Sequence, residues 1–513
     1  MDAFIEIIEK LVESVPGQTW LEQNHFPFKS LQSPKARVFD VCLFETNAHG
    51  AYGFLWIEFQ DSDDLLIFPF SLARYKEDGD LISLTPWSLR NASSDNNFYE
   101  SWRTAQKQRN PLLTARKGNF HHTKYSGEPS FIAMNIWSDP RNTCVRLDFQ
   151  IAYKIFRTLE KGYPQSIEVE FLSYLGNQSI FTNFAKLTSV FEYSSKDIPK
   201  SHIAIGMRYI PNNGVLFPHF VSLLHKARFP KKLKERSSAQ SWQELLRLTE
   251  SLGRLLGDFH KAMSLVPRHS ELAPEQSTKS LRAHWLKIVL TKLDERLNKV
   301  LALQKFYPNF SGIFYLLPDY INKMKESIEN LEDIGLRIRI HGNFHLGHIL
   351  IGAEDPVLLD YDADDFDDTA YRRIKQPCLK DVVSMIIGLR FAWYFTERKY
   401  YSLLSDKPEN LDMKSFTSNS SKGVNQSINS DRQQPSLQEL EKIFLKFYKN
   451  SLDESITSLE LRPKNPAKEK VLFNFCFLMR ILKEIARELP EGNPRPRLWL
   501  YILQDFMMSE NSA

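Results

Sequence analysis

The chain has 513 residues, 42% of them hydrophobic, which is long enough for two or three domains with cores of their own. Its 66 basic and 62 acidic residues nearly balance, and the net charge of +4 favours neither nucleic acid nor an anionic membrane as a partner. Cys42, Cys144, Cys378 and Cys476 are scattered without paired spacing, and no stretch approaches the roughly eighteen apolar residues of a membrane span. Met1-Asp2-Ala3-Phe4 lacks the basic start and apolar run of a secretion signal, so a cytoplasmic protein with reduced thiols is expected.

In chain order, Phe4, Ile5, Ile7, Ile8, Leu11 and Val12 recur at helical spacing, predicting an amphipathic helix stopped by Pro16-Gly17. The period then changes: Val38 to Phe44, Tyr52 to Phe59 and Leu65 to Phe70 are aromatic- and β-branched-rich runs that predict a small antiparallel sheet. Met207 to Gly214 ends in Pro211-Asn212-Asn213-Gly214, turn chemistry suited to a hinge. From Trp242 through Leu245, Leu246, Leu252, Leu255, Leu256, Phe259 and Met263 the apolar stripe is helical, and the remainder reads as α-rich. Residues 405–436 are dominated by Ser, Asn, Gln, Asp and Lys and are read as a disordered insertion between helices.

The chemistry concentrates in Ile340-His341-Gly342-Asn343-Phe344-His345-Leu346-Gly347-His348 and in Leu359-Asp360-Tyr361-Asp362. Arg337 to Ile340 alternates at period two and Pro356 to Leu359 is a short apolar run, so both predict strands, and a hairpin of the two would bring the loop beside Asp360. Phosphoryl transfer needs a carboxylate holding metal on nucleotide phosphates, a second ligand from a catalytic loop and a group orienting the attacking hydroxyl. Asp360, His348 and Asn343 fit these three roles in turn, with Asp362 as a further metal ligand. The amide of Asn343 orients a hydroxyl but cannot take its proton at neutral pH, so His345 or Asp362 is left to accept it.

These stretches resemble the maltokinases of the aminoglycoside-phosphotransferase-like branch of the protein-kinase fold. That family's loop reads His-Gly-Asp-x-His-Leu-Gly-Gln and is followed by Leu-Asp-Phe-Glu. Arg372-Arg373-Ile374-Lys375 to Leu379-Lys380-Asp381-Val382 is similar to its Arg-Arg-x-Lys-x-x-x-Leu-Arg-Asp-Val. Asn142-Thr143, the run Tyr153-Lys154-Ile155 to Gly162, and Glu168 resemble its nucleotide-binding strand and the acidic partner on the next helix. Arg495-Pro496-Arg497-Leu498-Trp499 resembles its closing Arg-Pro-x-Trp segment, with one extra residue.

The resemblance implies an α+β, bilobal, protein-kinase-like fold: an N-terminal cap over residues 1–135, a small nucleotide-binding lobe over 136–214, and an α-rich large lobe over 215–513. It implies ATP with Mg²⁺ or Mn²⁺, transfer to the anomeric hydroxyl of maltose, and a place in α-glucan or glycogen synthesis from trehalose. Partners would be maltose and the α-glucan- or trehalose-converting enzymes. Lys154, Glu168, Asn142 and Thr143 then fall on the nucleotide, and Arg372, Lys375, Trp499 and Tyr501 offer groups suited to a sugar. A pseudokinase that binds nucleotide or sugar without turnover is the alternative, because Asn343 stands where the family has aspartate; an aminoglycoside-like or choline-like acceptor is a third.

Plainer roles stand beside these. Lys154 could snorkel from a strand edge and Asp360 could form a turn. Asp381 is expected to anchor the catalytic loop's backbone, His341 to support that loop, and His260 to be a packed core histidine. The acidic series from Asp360 to Asp368 fails as a calcium loop, since Asp365 stands at its sixth position and Tyr371 at its twelfth. Lys226, Arg228, Lys231, Lys232, Lys234 and Arg236 are read as a solvated linker face. In Trp137 to Thr143 no glycine-rich phosphate loop is visible, and Pro140 removes one amide donor.

Overall fold

The computed structural model describes residues 2–24, 35–47, 50–60, 62, 64–74, 81–84, 87–92, 95–108, 111–116, 118–124, 133–138, 142–147, 150–159, 162, 163, 165–178, 180–229, 236–362, 366–404, 435–453, 461–487 and 495–511. The chain divides into two compact units, residues 1–179 with 184–211, and residues 180–183 with 212–513.

The first unit is built on antiparallel sheets. Strands β1 (Ala36–Asn47), β2 (Gly50–Phe59), β3 (Leu65–Ala73), β4 (Leu81–Leu84) and β5 (Trp87–Asn91) pair in the order β1-β2-β3-β5-β4. Because side chains alternate along β2, Phe54 and Trp56 face one way and Leu55 and Ile57 the other. Phe54 and Trp56 join an aromatic core with Trp102, Phe120, Tyr153 and Phe191, while Leu55 and Ile57 pack with Ile8, Leu11 and Val12 of the opening helix. Both faces being covered, β2 carries the near-continuous apolar run that such a strand requires. Pro16-Gly17 does not end the helical region: Asp2–Glu13 stops and a second helix, Val15–Asn24, starts with Pro16 in its first turn, where a missing N–H costs nothing.

Strands β6 (Leu112–Leu113), β7 (Asn119–Lys124), β8 (Ala133–Ser138), β9 (Asn142–Leu147), β10 (Ile151–Phe156), β12 (Leu187–Ser194) and β13 (Ser201–Arg208) form the other sheet, in the order β6-β7-β12-β13-β10-β9-β8. The short β11 (Thr158–Leu159) returns to pair with β3. The sheet runs through residue 135 without a break, since β7 pairs directly with β12.

The second unit is mainly helical. Its helices include Leu216–Arg228, Arg236–Ser264, Lys279–Leu301, Ser311–Glu329, Leu379–Leu404, Leu437–Asp453, Pro466–Arg487 and Arg495–Asn511. Trp242, Leu245, Leu252, Leu255, Leu256, Phe259 and Met263 are buried along Arg236–Ser264, as the stripe requires. Gly253 and Gly257 share one face of that helix. A Cβ there would lie 2.6 Å from the Phe444 carbonyl oxygen and 2.6 Å from Ser451 Cβ, so glycine lets Leu437–Asp453 approach closely.

Arg337–Ile338 (β15) and Pro356–Leu358 (β17), expected to pair across the loop, do not. β17 pairs with Ile349–Gly352 (β16), and β15 with Gln376–Pro377 (β18). Residues 353–355 close the first hairpin at far smaller entropic cost than the longer loop would. Glycine permits the turn, because a Cβ on Gly352 would sit 2.3 Å from the Asp355 carbonyl oxygen. Asn212–Val215 (β14) completes a three-stranded sheet with β16 and β17. Most of the 405–436 insertion, all of 139–141 and the Lys231, Lys232 and Lys234 portion of the basic cluster lie outside the described residues. Arg228 is an internal clamp, 3.1 Å from Glu397 and 3.6 Å from the centre of the Trp393 ring.

Candidate active site

The helical unit holds the loop 341–348 from behind. Asp381, fully buried near the start of Leu379–Leu404, accepts the backbone N–H of His341 at Oδ2 and that of Gly342 at Oδ1, both at 2.8 Å. Gly342 has φ +78°, a conformation that glycine takes at no steric cost. His260 donates from Nε2 to Asp381 Oδ2 at 3.2 Å, and Tyr448 donates to His260 Nδ1 at 3.0 Å. Burial raises the carboxyl of Asp381, yet the hydrogen bond from His260 with the loop contacts outweighs it and holds it below the usual range.

His341 points the other way. Its Nε2–H donates to the Leu359 carbonyl at 2.8 Å, and its Nδ1 accepts the Asn343 N–H at 3.3 Å. The contact at Nδ1 requires the neutral ring, and burial pushes the imidazole down to about 4. Between its ordinary value and about 4 the unfolded chain binds the proton and the folded chain does not, so stability falls as pH drops through that window. Urea denaturation is expected to show about 2 kcal/mol less stability from this group at pH 5 than at pH 7.5. His341→Gln, which keeps a donor for Leu359 but does not titrate, should flatten that part of the profile; an identical profile in the variant would remove His341 as its source.

Asn343 is buried, and its Oδ1 lacks a hydrogen-bond partner among the described residues. Its carbonyl oxygen lies 3.0 Å from His348 Nδ1. A carbonyl only accepts, so Nδ1 carries the proton and the neutral ring presents a bare Nε2 lone pair. That lone pair lies 3.2 Å from Asp360 Oδ2. Two arrangements satisfy the pair, a second proton on His348 or a cation shared by Nε2 and Oδ2. The donor set suits the cation, because metal-binding histidines commonly donate their other N–H to a backbone carbonyl. Asp360 itself has φ +62°, a left-handed backbone tolerated by aspartate and typical of functional turns. His345 accepts the Gly347 N–H at Nδ1, 3.0 Å, and its ring centre lies 4.1 Å from that of His348.

In the sheet unit, Lys154 Nζ lies 2.6 Å from Glu168 Oε2, with both side chains almost fully buried. Breaking such a pair from one side costs about 3–5 kcal/mol. The β9–β10 register sets Lys154 opposite Cys144 and Asn142 opposite Phe156, so Asn142 shares the face of Lys154. Thr143, opposite Ile155, is buried and lies on the other face of the strand, toward the aromatic core.

The residues assigned to a sugar find other neighbours. Trp499 is buried with its ring centre 4.2 Å from that of Phe391, stacked within the protein. Lys375 is likewise drawn to protein: its Nζ lies 2.9 Å from Glu275, which also holds Arg337 at 2.8 Å. Arg372 donates to the Asp362 carbonyl at 2.9 Å and to Thr369 at 2.6 Å, and Tyr501 meets Phe310 edge-on at 4.8 Å. Asp367 and Asp368 have structural roles. Asp367 pairs with buried Arg296, and Asp368 caps Thr369–Arg373 while pairing with Lys292 at 2.9 Å. The four cysteines are free, and no described helix is long and apolar enough to cross a membrane.

Sequence reasoning passed over Tyr448 and Glu275. Gly253-x-x-x-Gly257-x-x-His260 offered a signal for the first, since it marks a face closely approached by another helix; nothing local marks Glu275.

The sequence matches no family model and no curated protein. Among solved structures it is similar to a glucosamine kinase in crystal form B, with 16% identity and a TM-score of 0.57 over 98% of this chain and 100% of that one. It is equally similar to a glucosamine kinase in complex with glucosamine, ADP and inorganic phosphate, at 16% identity and 0.57 over 97% and 99%. Crystal form A gives 16% and 0.55 over 97% and 98%. At that identity the likeness establishes the fold: the chain has an α+β, two-lobed, kinase-like fold across nearly its whole length.

Proposed function

We propose that this protein is an ATP-dependent sugar kinase whose acceptor is maltose, giving maltose 1-phosphate for α-glucan or glycogen synthesis in the cytoplasm. The observation that carries this is the Asp381-anchored loop, in which the buried side-chain oxygen of Asn343 has no hydrogen-bond partner among the described residues, the backbone carbonyl of Asn343 meets His348 Nδ1, and His348 Nε2 faces Asp360. Lys154, held by Glu168, meets the nucleotide phosphates, with Asn142 on the same face of the sheet. Asp360, His348 and Asp362 hold the divalent ion, which supplies charge neutralisation at the phosphates when bound. Asn343 orients the acceptor hydroxyl, and His345 or Asp362 takes its proton. Arg372 borders Asp362 and is retained, with Tyr501, for the sugar. The maltose assignment rests on the motif resemblance, and glucosamine is the competing acceptor because the fold matches glucosamine kinases over the full chain. The test is product formation from ATP with each sugar; phosphorylation of glucosamine but not maltose overturns the assignment.

The second possibility, a pseudokinase, is favoured by Asn343 alone. Nucleotide and maltose should each raise the melting temperature of a kinase, and one of them alone that of a regulator.

The proposed donor set also supports a metal preference. Mg²⁺ accepts an imidazole nitrogen poorly and Mn²⁺ accepts it better. Mn²⁺ is therefore expected to support nucleotide binding better than Mg²⁺, and His348→Gln to reverse the order in a titration of each metal. Equal support by both ions in both proteins would exclude His348 as a ligand.

A further inference from the structure

The helix that carries Glu168, Ile167–Gly176, lacks a side-chain cap of the ordinary kind: Ser166 stands at the N-cap position and its hydroxyl caps nothing. The backbone N–H of Ser166 instead donates to Nδ1 of His202, at 3.0 Å. His202 lies on β13, directly opposite Glu192 of β12, and its Nε2 is 3.6 Å from Glu192 Oε1. An amide can only donate, so Nδ1 must be bare and the ring proton sits on Nε2, toward Glu192. Lys200 holds the other oxygen of Glu192 at 2.7 Å, and His121 of β7 is the register partner of Glu192 on its far side. Burial raises the carboxyl of Glu192, but His202 and Lys200 beside it outweigh that and hold it below the usual range, so the carboxylate stays charged.

We infer that His202 is a positioning residue: as the neutral ring it pins the start of the Glu168 helix to the sheet and so aligns Glu168 with Lys154, and on taking a second proton it releases that start. This rests on the nucleotide assignment made above for Lys154. The second proton has one place to go, Nδ1, where it would oppose the Ser166 N–H. Two donors then face each other across about 3 Å, so the helix start must move away, and the Lys154–Glu168 contact begins only two residues further on. The groups that face the ring are Glu192, Lys200 and His121 from the sheet and, from the first turn of the helix, Glu168 and Glu170.

The experiment compares the full-length protein with His202→Asn and His202→Leu. Asparagine places an acceptor oxygen where Nδ1 stands and does not titrate; leucine removes the acceptor. Two readouts are taken at about pH 7.5 and about pH 5.5. These are the hydrogen-exchange protection of residues 167–176 and the affinity for a fluorescent ATP analogue. Wild type is expected to lose about tenfold in protection and in affinity on acidification, the loss of one buried hydrogen bond. His202→Asn should keep both nearly constant, and His202→Leu should be low at both ends. The same acid loss in His202→Asn as in wild type, or no acid loss in wild type, overturns the proposal. The expected exchange pattern without nucleotide binding in any protein supports the positioning role and counts against the kinase assignment alone.

Discussion

Replacing Asp360 by asparagine is expected to weaken ATP binding in the presence of divalent metal by about 10²–10³-fold, the scale on which single electrostatic contacts act in preorganised sites. Asparagine is the informative change because it tolerates the left-handed backbone at this position, φ +62°, while removing the charge. Alanine there would add backbone strain of about 1–2 kcal/mol and confuse the two effects. Calorimetry with ATP and Mn²⁺ or Mg²⁺ reads the result. Full affinity in Asp360→Asn would show that Asp360 matters as a turn and not as a ligand. Absence of heat in the wild type would remove nucleotide binding altogether.

Asn343→Asp is expected to raise the rate of sugar phosphorylation by at least about tenfold, within the 10²–10⁴-fold range that a placed general base contributes. The side chain is already buried with an unpartnered oxygen, so a carboxylate of the same shape needs no new space. Phosphoryl transfer passes through a loose transition state in which positioning and charge neutralisation supply most of the acceleration, so slow turnover by the wild type is also expected. A product assay run on both proteins decides. Activity in neither, with either metal, favours the regulatory alternative. A wild type slowed by the aspartate would place the base elsewhere, with His345 and Asp362 first to be tested.

The parts of the site visible in the sequence were those whose chemistry is local. His341-Gly342-Asn343 and Leu359-Asp360 announce themselves by residue type and spacing, and the period-two and helical apolar patterns of β2 and Arg236–Ser264 follow from which faces are buried. Strand partners were less legible, because pairing is decided by loop closure and by segments far away in sequence. Ile349–Gly352 is only four residues long, and its selection by β17 left β15 to Gln376–Pro377. The role of His260 was half visible. A buried histidine on an apolar stripe is evident from spacing, whereas Asp381 and Tyr448, its two partners, stand 121 and 188 residues away. The burial of Thr143 and Trp499 was not legible for a different reason: a residue type suited to a ligand says nothing about which side of a strand or helix it occupies.

The division of the chain between its two units has a consequence for biosynthesis. Residues 180–183 belong to the helical unit although the sheet unit continues after them, from residue 184 to residue 211. Asn183 hydrogen-bonds through its carbonyl to the Leu358 amide at 2.9 Å and through its side chain to Pro356 at 3.2 Å, and Phe181 packs edge-on against Phe259. While the chain emerges from the ribosome, this short segment, between the helix Ile167–Gly176 and β12, must wait until about 170 more residues have been made. A fragment ending at residue 211 would leave Phe181 and Asn183 without these partners, so the sheet unit cannot be excised by one cut without stranding part of its neighbour's interior.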